Sequence, residues 1–229
     1  MSDPPSLEEL NGAVVRCRRC PRLVEWREQV AIVKRAAFGD EEYWGRPVPG
    51  FGDPAAKVVV IGLAPAAHGA NRTGRMFTGD RSGDWLYRAM HRAGFANQPT
   101  SRGRDDGLEL TDAWVTAPVR CVPPANKPTP AERDACAGWF DQELALLERA
   151  RVYVVLGGFG YQATWASLRR RGMELPRPRP PFAHGLEVAL VGGPTILASY
   201  HPSQQNTFTG RLSEEMLDAV FLRAAELVR

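Results

Sequence analysis

Residues 61–80 have the sequence IGLAPAAHGANRTGRMFTGD and follow the run KVVV at 57–60. A run of β-branched residues is typical of a strand that is buried on both faces of a parallel sheet. Small residues after the strand let the backbone approach a ligand closely: Gly62, Ala64, Ala66, Ala67 and Gly69. Open α/β sheets bind ligands at the carboxyl ends of their strands. The aromatic ring of Phe77 and the carboxylate of Asp80 complete a predicted binding site.

Strand and helix signals alternate around this stretch. Strands are predicted at 57–63, 113–119, 152–156 and 195–200, with a further short strand at 186–191. Helices are predicted within 6–37, at 82–92, from 130 to about 149, from after Gly158 to about 168, and after Ser213. Loops are predicted at 39–53, 100–108 and 169–181. Thr129 and Glu132 form a capping box around Pro130. The prediction is one domain over 1–229, an α/β/α three-layer sandwich with a central, mostly parallel four-stranded sheet.

Length and composition are those of an ordinary globular protein. The 229 residues are 44% hydrophobic and 24% charged, which at this size provides a core that is stable without disulfides. No apolar run is long enough for a membrane span, and MSDPP at 1–5 is not a signal peptide, so we expect a cytoplasmic protein. The net charge of +3 permits a nucleic-acid partner without requiring one.

The four cysteines are Cys17, Cys20, Cys121 and Cys136. Cys17 and Cys20 have the C-x2-C spacing with which one turn presents two thiolates to a metal centre. Disulfides are not expected in a reducing cytosol. The spacing is compatible with a structural zinc ion and with an iron–sulfur cluster, and four unrelated buried thiols are the alternative.

A second polar loop follows another predicted strand. Residues 201–206, HPSQQN, come directly after the strand at 195–200. Because the carboxyl ends of parallel strands lie at one edge of a sheet, we expect this loop to meet the loop at 62–80. Several candidates also have a purely structural interpretation. Phe77 is then a core residue, Asp80 a helix cap, His201 a turn residue and Asn126 part of a proline-rich turn.

Together these motifs resemble the uracil-DNA glycosylase superfamily, and most closely its family 5, the broad-specificity type-b enzymes. The matching segments are GLAPA and FTGD within 62–80, RCVPPANKPTP at 120–130, HPSQQN at 201–206 and the four cysteines. The resemblance extends from Cys17 to the last helix. Leu63 stands where the related family-4 enzymes have Glu, and Ala117 corresponds by motif order to their uracil-reading Asn. Both departures are typical of family 5, and both remove a polar group from the pocket.

The resemblance implies an enzyme of DNA repair with a defined reaction. Such an enzyme flips uracil, and also hypoxanthine or other deaminated or damaged bases, out of double-stranded DNA and hydrolyses the N-glycosidic bond. The resemblance also implies a structural [4Fe–4S] cluster and a chain that acts as a monomer. The implied cluster ligands are Cys17, Cys20, Cys121 and Cys136.

The chemistry of base release suggests a role for each candidate residue. Bond cleavage leaves negative charge on the departing base and positive charge on the sugar. We assign donation to the base O2 to His201, holding of the attacking water to Asp80, and base recognition or water placement to Asn126. The base-binding pocket is assigned to Phe77, Gly62, Ala64, Ala66 and Ala67. DNA contacts are predicted for Arg72, Arg75, Ser203, Gln204, Gln205 and Asn206.

Two other function classes account for parts of the sequence. Residues 69–74 have the G-x4-G spacing of a phosphate-binding P-loop, but Arg75 and Met76 replace the required Lys and Ser/Thr, which excludes that NTPase site. A non-enzymatic DNA-binding module held together by a metal would account for the cysteines and the arginines. It does not account for two polar loops at one edge of a sheet.

Overall fold

The computed structural model describes residues 6–229. The first five residues, and with them the prediction about a signal peptide, lie outside the described residues. Within 6–229, no helix combines the length and the apolar character that crossing a membrane requires.

Strands and helices alternate along the chain. The strands are β1 (Phe51–Gly52), β2 (Val58–Ile61), β3 (Ala113–Thr116), β4 (Val152–Leu156), β5 (Glu187–Ala189) and β6 (Thr195–Ser199). The helices are α1 (Leu7–Val15), α2 (Pro21–Val33), α3 (Ala70–Thr73), α4 (Arg81–Arg92), α5 (Pro130–Leu146), α6 (Gly157–Arg170), α7 (Gln204–Phe208) and α8 (Glu214–Val228). Short 3₁₀ turns lie at Ala36–Phe38 and Pro124–Asn126.

All these strands belong to one sheet with the order β1-β3-β2-β4-β6-β5. The four central strands are parallel, and β1 and β5 pair antiparallel at the edges. The mostly parallel sheet is confirmed, but the predicted strand number of four is wrong, because the sheet has six strands. The strand β1 has only two residues, in a segment rich in Gly and Pro. It is defined by pairing with β3 and has no periodicity of its own.

Capping side chains explain where several helices begin. The predicted capping box at Thr129 and Glu132 is present, and Pro130 is the first residue of α5. The segment predicted as mainly helical at 6–37 contains two helices, α1 and α2, which are separated at 16–20. Pro21 starts α2 because its ring and its missing N–H are tolerated only in the first turn of a helix.

Alternating side chains of the central strands enter two separate cores. Val58 and Val60 of β2 pack with apolar residues of α4 and α8. Val59 and Ile61 pack on the opposite face with α5 and α6. Helices therefore cover both faces of the sheet, which confirms the predicted α/β/α arrangement.

The register of the parallel strands brings their carboxyl ends to one edge. Ile61 of β2 pairs with Thr116 of β3 and with Val155 of β4, and Leu156 of β4 pairs with Ser199 of β6. The chain segments that follow β2, β3, β4 and β6 consequently start side by side. The two polar loops singled out in the sequence begin at this edge.

Candidate active site

The loops after β2 and β6 meet, as the sequence predicted. The rings of Phe77 and His201 stack with their centroids 5.6 Å apart and their planes 30° from parallel. The loop after β2 is tied to the end of β3, because the Gly62 N–H donates to the Thr116 carbonyl at 2.9 Å. Residues at the ends of β2, β3 and β6 therefore form one site.

Phe77 is held in place by two glycines. A Cβ atom on Gly62 would lie 2.7 Å from Phe77 Cζ, so the ring sits directly on the bare backbone of the first loop residue. A Cβ atom on Gly83 would overlap the Phe77 carbonyl oxygen. Phe77 has φ +52°, a left-handed conformation that is rare for a bulky side chain. Strained backbone conformations persist where the surrounding structure holds them, and they cluster at functional sites.

The two carboxylate oxygens of Asp80 have different surroundings. Its Oδ1 accepts a hydrogen bond from the Gly83 N–H at 2.9 Å and so caps α4. Its Oδ2 lies against Gly69, where a Cβ atom would overlap it. Burial raises the pKa of the Asp80 carboxyl, and the Gly83 N–H opposes that rise. The helix-cap interpretation is therefore correct for one oxygen and leaves the other at the glycine loop.

His201 carries a neutral imidazole at neutral pH. The residue keeps part of its surface exposed, but burial lowers its pKa to about 4. The backbone at His201 is fixed by Asn206, whose Nδ2 donates to the His201 carbonyl at 2.8 Å. A neutral imidazole in a fixed turn donates one N–H without carrying a charge.

The other members of the HPSQQN segment build the turn that holds His201. Ser203 caps α7, because its Oγ accepts from the Asn206 N–H at 3.4 Å. Gln204 and Gln205 are exposed on the first turn of α7. Ser203 and Asn206 thus have structural bonds, whereas the two glutamines face solvent beside the site.

The small and apolar pocket candidates follow neighbouring strand ends. Leu63, Ala64, Ala66 and Ala67 are partly exposed in the loop after β2. Ala117 is buried directly after β3. Since β2 and β3 are adjacent in the sheet, Leu63 and Ala117 follow neighbouring strand ends.

Asn126 lies in a different setting. It is exposed in the 3₁₀ turn Pro124–Asn126, and both Ala125 (φ +52°) and Asn126 (φ +56°) are left-handed. Within residues 6–229 its side chain makes no hydrogen bond, and the stack of Phe77 and His201 does not include it. The turn-shaping interpretation has direct support, and the catalytic role of Asn126 stays a prediction.

The predicted phosphate contacts of Arg72 and Arg75 need correction. Arg72 is buried and donates to the carbonyls of His68 and Gly79 at 2.8 and 2.9 Å, and it also pairs with Glu41. Arg75 is buried and is bonded to Asp106 at 2.8 Å and to Ser101 at 2.9 Å. Guanidinium groups enclosed by protein acceptors do not face DNA.

Both arginines instead hold the loop that carries Phe77 and Asp80. Two of their partners, Ser101 and Asp106, were not expected at the site, because they lie in the segment predicted as a polar surface loop at 100–108. No motif marks these two residues. Their role arises from contacts that the fold creates, with Arg75 and, for Ser101, also with Thr78 and Gly79.

The four cysteines lie together around one cavity next to this site. The cavity is lined by Cys17, Cys20, Cys121 and Cys136, together with the buried side chains of Arg27 and Arg120. No three His, Cys, Asp or Glu side chains in 6–229 are grouped as ligands of one metal ion. Thiolates around a four-iron cluster bind different irons and so lie further apart than those around one zinc ion. The four thiols share one cavity without forming such a group, and the iron–sulfur cluster stays a prediction.

The surroundings of the cysteines are positively charged. Arg27 Nη1 lies 3.0 Å from Cys121 Sγ, and Arg120 forms an ion pair with Glu143. Arg27 Nε, Arg120 Nε and Arg120 Nη1 are buried and have no protein acceptor among the described residues. Burial raises the pKa of Cys121 to about 11 and of Cys136 to about 12. The unused buried donors fit a pocket for an anionic metal–thiolate group, whose sulfur atoms would supply the missing acceptors.

Residues beside the cysteine cavity contact the loop after β2. Ala64 packs against a small cluster of Leu23, Val119 and Cys121. Asn71 Nδ2 donates to the Arg27 carbonyl at 3.2 Å, and the Asn71 N–H donates to the Ala66 carbonyl at 3.0 Å. The position of α2 is thereby coupled to the position of the glycine-rich loop.

Comparison with known proteins identifies one family of similar sequences. The model of the uracil DNA glycosylase superfamily matches residues 49–224, which include both loops. The chain is 55% identical to the Type-5 uracil-DNA glycosylase of Mycobacterium tuberculosis over 97% of this chain and 82% of that protein. It is 54% identical to that of Mycobacterium leprae, over 97% of this chain and 96% of that protein. It is 53% identical to that of Thermus thermophilus, over 92% of this chain and 93% of that protein.

The two functions of Asp80 are separable by substitution. Asp80→Ala removes the cap of α4 and is expected to lower the free energy of unfolding by about 1 kcal/mol. Asp80→Asn keeps an acceptor at Oδ1 and should stay close to the wild type, since Asn is an equally good N-cap. Urea denaturation of the three proteins measures the difference. An Asn variant as unstable as the Ala variant would contradict the cap described here.

Proposed function

The chain belongs to the uracil DNA glycosylase superfamily, and from this membership we propose that it removes uracil from DNA. The proposed reaction hydrolyses the N-glycosidic bond between the base and deoxyribose and leaves an abasic site. One observation carries the proposal. A neutral His201 is stacked on Phe77 at the carboxyl edge of the sheet, with Asp80 at the end of the same loop.

The proposed base pocket uses the fixed ring of Phe77. A base swung out of the duplex needs an apolar surface to replace the stacking that it loses. Phe77 is partly exposed and is immobilised between Gly62 and Gly83, so it offers this surface without having to be ordered on binding. The bare backbone of Gly62 leaves room for the ring at the pocket wall.

His201 is the proposed donor to the departing base. As the glycosidic bond breaks, its electron pair moves onto the base and negative charge develops at O2. A preorganised N–H aimed at that charge stabilises the transition state, and its loss typically costs 10²- to 10³-fold in rate. A neutral imidazole can fill this role, because one of its ring nitrogens carries an N–H that donates a hydrogen bond.

Asp80 is the proposed partner of the attacking water. Its Oδ1 is occupied by the helix cap, whereas Oδ2 lies against Gly69 at the loop. A carboxylate there accepts a proton from water and offsets the positive charge on the sugar. Burial raises its pKa and so makes it a better proton acceptor. We keep Asn126 as a proposed contributor to base recognition or water placement, from its motif alone.

The proposed substrate range is broader than uracil. Leu63 and Ala117 stand at neighbouring strand ends and present no polar group to a base edge. A site that hydrogen-bonds a substrate group rejects analogues strongly, whereas an apolar wall discriminates by only about 1–3 kcal/mol per small group. Hypoxanthine and other deaminated bases in double-stranded DNA are therefore proposed substrates.

We also propose that Cys17, Cys20, Cys121 and Cys136 hold a [4Fe–4S] cluster with a structural role. The four thiols around one cavity and the unused buried donors of Arg27 and Arg120 support this assignment. When bound, the cluster would join α2 to the segment after β3 and to α5. Through Ala64 and Asn71 the same connection would keep the loop of Phe77 and Asp80 in place.

The test of the proposed activity is release of free uracil from a uracil-containing duplex under single-turnover conditions. His201→Ala is expected to lower the rate of release on the order of 10²-fold with little change in DNA affinity, because charge reaches the base only during bond cleavage. A variant that loses affinity in parallel and cleaves normally once bound would make His201 a positioning residue. DNA binding without release of any base by the wild type would favour the non-enzymatic alternative.

The low pKa of His201 predicts how the cleavage rate and the stability of the protein depend on pH. Because the folded pKa of His201 is about 4, against an ordinary value of 6.5, His201 should add no inflection to the rate between about pH 6 and 8. The unfolded chain binds this proton more tightly than the folded chain does. Stability should therefore fall as pH decreases from 6.5 towards 4, and His201→Ala should remove that part of the decrease.

The cluster assignment predicts a coloured protein that contains iron and sulfide. Cys136→Ser should lose iron and lower the thermal unfolding midpoint, because the metal contributes to folding only through its ligands. Ala135→Ser, a change beside Cys136 on the same cavity, is the matched control and should retain iron. Elemental analysis of both variants and the wild type decides the matter. Zinc in place of iron, or full stability of Cys136→Ser, would contradict the assignment.

Substrate breadth is tested with duplexes that carry uracil, hypoxanthine, 5-hydroxymethyluracil or ethenocytosine. The wild type should release several of these bases, fastest from mispaired sites, where the base is poorly stacked. Ala117→Asn should narrow the range towards uracil by adding a base-reading amide. Ala117→Val adds bulk without that amide and is the control for the cost of overpacking this buried position. Strict uracil specificity of the wild type would refute the apolar-wall argument.

A further inference from the structure

Three exposed arginines stack on aromatic rings around the proposed active site. Arg81 lies 4.4 Å from the ring centroid of Phe208, Arg211 lies 4.4 Å from that of Tyr200, and Arg104 lies 3.9 Å from that of Trp44. The face of each guanidinium is covered by its ring. The N–H groups at its edge remain available to another partner.

Each of these stacks is built on a segment that forms the site. Arg81 follows Asp80 as the first residue of α4, and Tyr200 directly precedes His201. Phe208 is the last residue of α7, whose first turn is bonded to the His201 carbonyl. Arg104 lies in the loop at 100–108, which accepts a hydrogen bond from the Gly79 N–H through Ser101 at 2.9 Å. All three stacks therefore lie on segments that adjoin or are bonded to the loops of Phe77 and His201.

These three arginines have no acidic partner among the described residues. The ion pairs within 6–229 include none of Arg81, Arg104 and Arg211. By contrast, Arg92 pairs with Glu214 and Asp218, and Arg223 pairs with Glu187 and Glu226. Uncompensated charge is thus present where a polyanion would approach the site.

Phe208 adds an exposed aromatic surface. Its relative exposure is 67%, high for an aromatic side chain, and the ring is in contact with Arg81 on one side. The Arg81 Nε also donates to Thr207 Oγ1 at 3.4 Å, which ties α7 to α4. The ring is thereby held beside the turn of His201 with an uncovered face.

We propose that Arg81, Arg104 and Arg211 bind phosphates of the DNA strand that carries the flipped nucleotide, and that Phe208 stacks on a base next to the vacated position. This inference rests on the proposed function. The planar guanidinium fork matches a phosphate in a bidentate manner, and the supporting ring restricts its motion before DNA binds. A base that has lost its neighbour in the stack exposes a face on which an aromatic side chain stacks favourably.

The experiment measures DNA affinity against salt concentration, with the full chain and a short duplex that contains a tetrahydrofuran abasic-site analogue. This probe needs no excision. Arg81→Gln, Arg104→Gln and Arg211→Gln should each lower the slope of log K against log salt by about 0.9, the value for one phosphate contact. Phe208→Ala should weaken binding on the order of tenfold and leave the slope unchanged, since stacking releases no counterions.

Matched controls come from the outer surface of α8. Arg223→Gln removes an acid-paired arginine, and Leu222→Ala truncates another exposed apolar side chain, which is 47% exposed. Both should bind like the wild type. An unchanged slope in the three site variants, or an equal decrease in Arg223→Gln, would overturn the phosphate assignment. Wild-type affinity of Phe208→Ala would overturn the stacking assignment.

The proposed DNA-binding surface and the proposed activity can each be refuted without refuting the other. If the wild type releases uracil but these variants bind the probe normally, the surface is wrong and the activity stands. If the variants show the expected slopes but the wild type releases no base, the surface is correct and the activity is wrong.

Discussion

The contact between the Phe77 ring and the bare backbone of Gly62 is the constraint on which the site depends. A side chain at Gly62 would occupy the position of the ring, and a side chain at Gly83 would overlap the Phe77 carbonyl. The ring is therefore set by the ends of β2 and α4, two elements that belong to the rigid core. His201 stacks on that ring from the end of β6. A strained, left-handed Phe77 is compatible with folding because the hydrogen-bonded sheet and α4 fix everything around it.

The cysteine cavity extends this constraint to the N-terminal helices. No residue of α1 or α2 belongs to the Phe77–His201 stack. Helix α2 nevertheless contacts the loop after β2, because the Arg27 carbonyl accepts a hydrogen bond from Asn71. Two buried guanidiniums at the cavity have nitrogen atoms without a protein acceptor. Buried cations are costly unless a negative group compensates them, and Arg120 has such a group in Glu143. For Arg27 the carboxylate of Glu28 lies 3.7 Å from Nη2, and Cys121 Sγ lies 3.0 Å from Nη1.

The arginines divide into two classes by their surroundings. Arg27, Arg72, Arg75 and Arg120 are buried and hold loops through carbonyls, carboxylates and a thiol. Arg81, Arg104 and Arg211 are exposed and are backed by aromatic rings. The first class gives the site its shape, and the second gives it a positive field at the rim. The same residue type thus performs both tasks because its stem packs while its planar head group forms several directed bonds.

The sequence by itself determined the alternation of strands and helices, the capping box at Thr129 and Glu132, and the two polar loops at one edge. These features follow from local periodicity and from the rule that parallel strands end together. Only the tertiary structure decided that β1 joins the sheet, that Arg72 and Arg75 point inward, and that Asp80 caps α4 with one oxygen while the other faces Gly69. Each of these depends on partners distant in sequence or on backbone geometry that no local pattern specifies. An arginine in a glycine-rich loop has the same sequence signature whether it meets Asp106 or solvent, and only the folded position of Asp106 separates the two.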